Sequence, residues 1–140
     1  MIEGLSHITF IVRDLDRMEE ILTSVLGARK VYDSGDKTFS VSREKFFLIG
    51  PNTEAVWIAI MEGESLPTPT YNHVAFKIPK ADYEISLERI KSLGLEVREG
   101  RTRIDGEGRS IYFHDDDNHL FELHTGTLER RLQSYAKDIS

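Results

Sequence analysis

The chain has 140 residues, of which 39% are hydrophobic and 30% charged, with a formal net charge of −6 and no cysteine. That length fits one domain able to bury a core without covalent staples. The missing cysteines exclude disulfides, thiolate metal centres and a cysteine nucleophile. The acidic balance argues against a nucleic-acid surface but leaves room for a small anion held by a metal and a few local arginines.

In chain order, LSHITFIV (5–12) alternates as a strand, and Asp14–Leu26 is an amphipathic helix with Met18, Ile21, Leu22, Val25 and Leu26 at helical spacing. Gly27 closes that helix, and ARKVY beyond it reads as a strand. Thr38–Val41, Phe46–Ile49 and Val56–Met61 are further short strand-like runs, and GPNTEAV (50–56) is a loop. Glu62–Thr70 (EGESLPTPT) is a Gly/Pro-rich linker. The pattern then repeats. YNHVAFKI (71–78) is a strand, Ala81–Leu93 a helix closing at Gly94, and LEVRE a strand. Glu99–Arg109 is a charged, glycine-rich loop. Ser110–Phe113 and His119–His124 are strands around the turn residues Asp115, Asp116, Asp117 and Asn118. A terminal helix starts after Thr127 as N-cap. The opening MIEGLSHITF lacks the pattern of a leader peptide, and no apolar run approaches the roughly 18 residues that span a bilayer. A cytoplasmic protein without a membrane role is expected.

The repeat is the most informative feature: HITF and HVAF each open a similar succession of elements. The predicted fold is α+β, with two tandem βαβββ modules forming a curved mixed sheet around a metal site. Residues 1–140 form a single domain, with module one about 4–62, module two about 70–125 and the last helix at 127–138. Strand alternation places His7 on one face with Leu5, Thr9 and Ile11, and His73 on one face with Ala75 and Lys77. Glu122 shares a face with Leu120 and His124, while Phe121 and Leu123 point the other way. A mid-strand acid is costly to bury unless something positive meets it. A divalent cation held by His7, His73 and Glu122 accounts for all three residues and leaves positions for water or a chelating substrate. Any one of these histidines alone reads as an ordinary polar strand residue. Trp57 and Tyr71 fit a core or a cavity wall equally well. His119 reads as structural, His124 lies near a strand end, and the three consecutive aspartates read as a hairpin turn rather than a calcium loop.

The stretches LSHITFIVRDL, SREKFFLIG, YNHVAFKI and EGEGRSIYFHDDDNHLFELHTGTLERRL resemble the fosfomycin-resistance proteins of the vicinal-oxygen-chelate (glyoxalase/bleomycin-resistance/dioxygenase) superfamily. The resemblance runs nearly end to end. It implies that His7, His73 and Glu122 are the metal ligands and that the metal is Mn(II), with other divalent metals able to substitute. It implies a homodimer in which each site takes His7 from one chain and His73 and Glu122 from the other. Glu44 resembles the general base of the epoxide-hydrolase branch, which adds water to the fosfomycin epoxide and gives the vicinal diol phosphonate. By itself Glu44, between Arg43 and Lys45, also reads as a solvated hairpin acid. The resemblance implies that Arg131, Ser110 and Tyr112 bind the phosphonate, Thr9 matches a further site residue of the family, and Arg103 is expected to contribute from the 99–109 loop. The loop RTRIDGEGRS also resembles the hydrolase branch rather than the potassium-site loop of the thiol-transferase branch, although Glu107 and Ser110 of that loop are present here, and thiol transfer with glutathione or bacillithiol is the alternative. A metal-free drug-sequestering protein is a further alternative, disfavoured by the intact triad. The expected partners are thus a small epoxide phosphonate and water, with no nucleic acid and no membrane.

Overall fold

Asp14 caps the first helix in a computed structural model that describes residues 1–98 and 103–139: its carboxylate accepts the Arg17 N–H at 3.0 Å. The first four residues of the charged loop predicted at 99–109 lie outside the described residues. The helix is α1 (Leu15–Leu26), and it ends where Gly27 takes the left-handed conformation at φ 63°. Its buried stripe is Leu15, Met18, Ile21, Leu22 and Val25. Each such side chain contributes about 1.5–3 kcal/mol of burial, which is what holds a twelve-residue helix to its sheet.

That sheet has the order β1-β4-β3-β2, from β1 (His7–Val12), β2 (Arg29–Asp33), β3 (Glu44–Ile49) and β4 (Val56–Glu62). β1 pairs parallel with β4, and the other neighbours are antiparallel. Phe10, Val12, Phe47, Ile49, Ile58 and Ile60 form the buried face with α1. The strand predicted at Thr38–Val41 is absent. β2 pairs directly with β3 through Asp33 and Lys45, so the residues between them are the hairpin connection and have no ladder partner. Phe39 and Val41 are exposed there. The aspartate turn packs with this unit: Asp117 accepts from the Arg13 amide and guanidinium and from Ser65, and Asp116 pairs with Arg17. Those carboxylates are engaged by side chains of their own unit, in keeping with a turn rather than a calcium loop.

The second unit repeats the plan. β5 (His73–Lys77), a single 3-10 turn (Lys80–Asp82), α2 (Tyr83–Ser92), β6 (Val97–Arg98), β7 (Ser110–His114) and β8 (Leu120–His124) give a sheet ordered β5-β8-β7-β6. Again the first strand pairs parallel with the last. Stacked Phe113 and Phe121 centre its core with Ile90, Ile111 and Leu123. α2 buries Ser86 and Ile90, whereas Ile85 is left exposed. The chain ends in α3 (Leu128–Ile139), whose first turn is capped by Thr127 Oγ1 accepting the Arg130 N–H. No helix among the described residues is long and apolar enough to cross a membrane.

Candidate metal centre

Glu122 stands mid-strand in β8 with 4% of its surface exposed. Its rung neighbours are Ala75 on β5 and Tyr112 on β7. The small Ala75 side chain leaves the diagonal approach open, and His73 Nε2 comes to 3.0 Å from Glu122 Oε1. His73 Nδ1 lies 2.7 Å from the Tyr71 carbonyl oxygen, which requires an N–H there. In the neutral imidazole Nε2 is therefore a lone pair, facing a carboxylate oxygen. Two acceptors at that separation need a proton or a cation between them. The imidazole nitrogen and carboxylate oxygen are the donor set that Mn(II) takes, so these residues fit the expected metal.

A second layer of hydrogen bonds fixes Glu122. Arg131 Nη2 lies 3.4 Å from His124 Nε2, and a guanidinium can only donate, so this nitrogen accepts and His124 Nδ1 carries the proton. That N–H donates to Ser110 Oγ at 2.7 Å, and the serine hydroxyl donates onward to Glu122 Oε2 at 2.5 Å. Arg103 Nη2 donates to the Tyr112 hydroxyl at 3.0 Å and approaches Glu122 Oε2 at 3.4 Å. Burial pushes the Glu122 carboxyl up, but the Ser110 and Tyr112 hydroxyls, His124 and Arg103 together hold it below the ordinary carboxylate value. Burial pushes the Tyr112 phenol up, reinforced by its hydrogen bond with Tyr71 and by the Glu122 charge, so it stays protonated. Burial holds His124 below the usual histidine value against the pull of Glu122.

His73, Glu122, His124 and Arg131 line one open cavity of about 280 Å³, together with Gly126, Thr127 and Leu128 at the start of α3. Arg103 Nη1 is buried without a hydrogen-bond partner among the described residues. Ser110, Tyr112 and Arg103 thus lie close around Glu122, and Arg131 lines the cavity beside it. Ser110 has its single proton directed to Glu122 in this arrangement, and so offers none to a bound anion.

The first unit carries the other candidates. The ladders place His7, Trp57 and Leu48 on one rung, Thr9, Ala59 and Phe46 on the next, and Ile11, Met61 and Glu44 on the third, all on one face. His7 stacks on Trp57 at 4.2 Å between centroids, and Phe46 meets Trp57 edge-on at 5.1 Å. Trp57 is therefore wall beside His7 rather than core. Glu44 is 8% exposed, so it is not a solvated hairpin acid. Its neighbours are engaged elsewhere. Lys45 turns to the opposite face, 2.8 Å from Asp16 and 2.6 Å from Glu19, and Arg43 pairs with Glu62. Ser34 clamps the Glu44 backbone on both sides, accepting its N–H at 3.0 Å and donating to its carbonyl at 3.0 Å. Among the described residues no three His, Asp or Glu side chains of one chain converge as a ligand set. His73 and Glu122 meet, and His7 belongs to the other unit.

Two residues stand out more in the structure than in the sequence. His124 reads as a strand-end residue, although its shared parity with Glu122 is a signal for it. Glu107 is 1% exposed and accepts from the Tyr135 hydroxyl and the Ile104 amide. A carboxylate flanked by two glycines in a loop gave no sign of this.

A model of the Glyoxalase/Bleomycin resistance protein/Dioxygenase superfamily matches residues 4–123, and the chain belongs to that superfamily. Within it, the chain is 60% identical to the fosfomycin resistance protein FosX of Mesorhizobium japonicum, over 99% of this chain and 97% of that one. It is 57% identical to FosX of Listeria monocytogenes, over 96% and 98% of the two chains. A crystal structure of a Glu-to-Gln mutant of the Listeria monocytogenes protein, complexed with Mn(II) and 1S,2S-dihydroxypropylphosphonic acid, superposes with a TM-score of 0.86. It is 52% identical and covers 96% of this chain and 99% of that one.

Proposed function

We propose that this protein is a Mn(II)-dependent hydrolase that opens the fosfomycin epoxide to its vicinal diol phosphonate and so confers fosfomycin resistance, acting in the cytoplasm. The observation that carries the reading is His73 Nε2 facing the buried Glu122 carboxylate at 3.0 Å, with His73 Nδ1 held by the Tyr71 carbonyl. The Mn(II) and diol phosphonate bound by the Listeria monocytogenes relative support the metal and the product.

His73 and Glu122 would hold the metal together with His7 supplied by a second copy of the chain. That assignment is supported by β1 and β5 each standing at an edge of its sheet with His7 and His73 on it. Bound manganese supplies Lewis-acid stabilisation of negative charge on the epoxide oxygen as the ring opens. Arg131, the Nη1 of Arg103 that lacks a partner among the described residues, and the Tyr112 hydroxyl, with Thr9 of the second copy beside its His7, hold and orient the phosphonate. Glu44 takes a proton from water as the water oxygen bonds to the epoxide carbon next to phosphorus. The carbon–oxygen bond breaks, and the ring oxygen leaves as an alkoxide that solvent protonates. With Arg43 and Lys45 engaged elsewhere, the Glu44 carboxylate is left to act as a base.

Phosphorus NMR of fosfomycin with the purified protein and Mn(II), without any thiol, tests this. Diol should appear and should cease to form with EDTA. No diol, but an adduct once glutathione or bacillithiol is added, would reassign the protein to thiol transfer.

A further inference from the structure

Glu107 is a fully buried carboxylate that the mechanism above does not use. Gly106 and Gly108 on either side of it have φ of 88° and 86°, and this pair of left-handed residues folds the loop back so that the acid points inward. The loop is then fastened to the junction of β8 and α3. Thr125 N–H donates to the Arg109 carbonyl at 3.0 Å, and Arg109 N–H to Thr125 Oγ1 at 2.9 Å. A Cβ on Gly126 would come within 2.4 Å of the Glu107 carbonyl oxygen, so the two backbones lie directly against each other. Inside this seam Glu107 Oε2 accepts the Ile104 N–H at 2.8 Å, while Oε1 accepts from Tyr135 of α3 and lies 3.8 Å from Arg131 Nε.

Arg131 is therefore held at two places. Its Nε edge faces the Glu107 charge, and Nη2 reaches His124. An ion pair at 3.8 Å and a hydrogen bond at 3.4 Å orient the guanidinium, and its remaining N–H groups are left for the cavity that Arg131 lines with His73 and Glu122. A long, flexible side chain gains anion affinity when its geometry is fixed beforehand, because the ordering cost is then met in folding rather than in binding.

We infer that Glu107 is a positioning residue for substrate binding, aiming the Arg131 guanidinium at the phosphonate from beneath the cavity. This rests on the hydrolase reading for the identity of the anion. Glu107 touches neither substrate nor metal. It acts through Arg131, so its loss weakens phosphonate binding and leaves the metal site and the chemical step in place.

The test is a double-mutant cycle in the Mn(II)-loaded protein, reading KM and kcat for fosfomycin. Glu107→Gln keeps the volume and the acceptor for Ile104 but removes the charge facing Nε. It should raise KM on the order of tenfold with kcat within about twofold, and Mn(II) affinity measured by titration should not change. Arg131→Ala should raise KM roughly a hundredfold, as expected for loss of a charge-assisted pair. Glu107→Gln added to Arg131→Ala should cost nothing more. Tyr135→Phe, which leaves the Glu107 charge in place, provides a milder second variant and should raise KM in the same direction by less. Effects of Glu107→Gln and Arg131→Ala that multiply, or a Glu107→Gln protein with unaltered KM, would overturn the inference. If Arg131→Ala itself left KM unchanged, or the unmodified protein did not turn over fosfomycin, the failure would lie in the functional reading instead.

Discussion

Ser110→Ala removes one oxygen atom at the centre of the hydrogen-bonded chain behind Glu122. In the intact protein that oxygen accepts from His124 Nδ1 and donates to Glu122 Oε2. The bond to the ionised carboxylate is worth about 1.5–3 kcal/mol and the bond from the neutral imidazole about 1 kcal/mol. Water replaces these bonds poorly, because Glu122 is 4% exposed and the His124 side chain 14%. The expected loss of stability in the metal-free protein is about 2–4 kcal/mol. Glu122 would also lose the contact that orients it, and partners behind a metal ligand typically matter by about 10–100-fold in metal affinity. Urea denaturation of the metal-free variant measures the first quantity, and calorimetric titration with Mn(II) measures the second. A variant within about 0.5 kcal/mol of the parent that also bound Mn(II) equally tightly would refute the chain His124–Ser110–Glu122 as drawn.

Glu44→Gln should abolish diol formation in the NMR assay while leaving the Mn(II) titration unchanged; persistent turnover would remove Glu44 from the mechanism. Glu122→Gln should weaken Mn(II) binding by at least about a hundredfold, since it removes the charge of a ligand rather than of its support. Gly126→Ala should destabilise the protein by about 1–3 kcal/mol in a thermal melt, because its Cβ would press on the Glu107 carbonyl oxygen. Phe47→Ala, at a fully buried position of the first sheet, should cost about 3–5 kcal/mol by the same measurement without altering Mn(II) affinity.

The parts of this structure legible in the sequence were those governed by local rules. The HITF and HVAF strands, the Thr127 cap and the glycine at the end of α1 each depend on a few adjacent residues, and each stands where local chemistry puts it. Strand parity also put His7 with Thr9, and His73 and Glu122 on one face of their sheet. The Thr38–Val41 segment alternates like a strand, but alternation does not supply a neighbour to pair with. The orientation of Glu122 toward His73 follows from Ala75 lying on its rung, which is a fact of register and not of pattern. Ser110 and His124 share a rung for the same reason, so their hydrogen bond could not be read along the chain. The inward turn of Glu107 required the backbone of residues 106–108 against Gly126, a contact across 18 positions of sequence.

The single-residue alternation of these ladders also governs how the protein can change over generations. Core and chemistry lie on opposite sides of the same strands, so Phe121 and Leu123 are buried in the core while Glu122 faces the cavity. One inserted or deleted residue within β8 would exchange the two roles at a stroke. Length variation is therefore barred from the strands and confined to connections such as 50–55 and 103–109. Descendants of this chain can explore new ligands by lengthening and reshaping those loops, and they inherit the face that carries His73 and Glu122 unaltered.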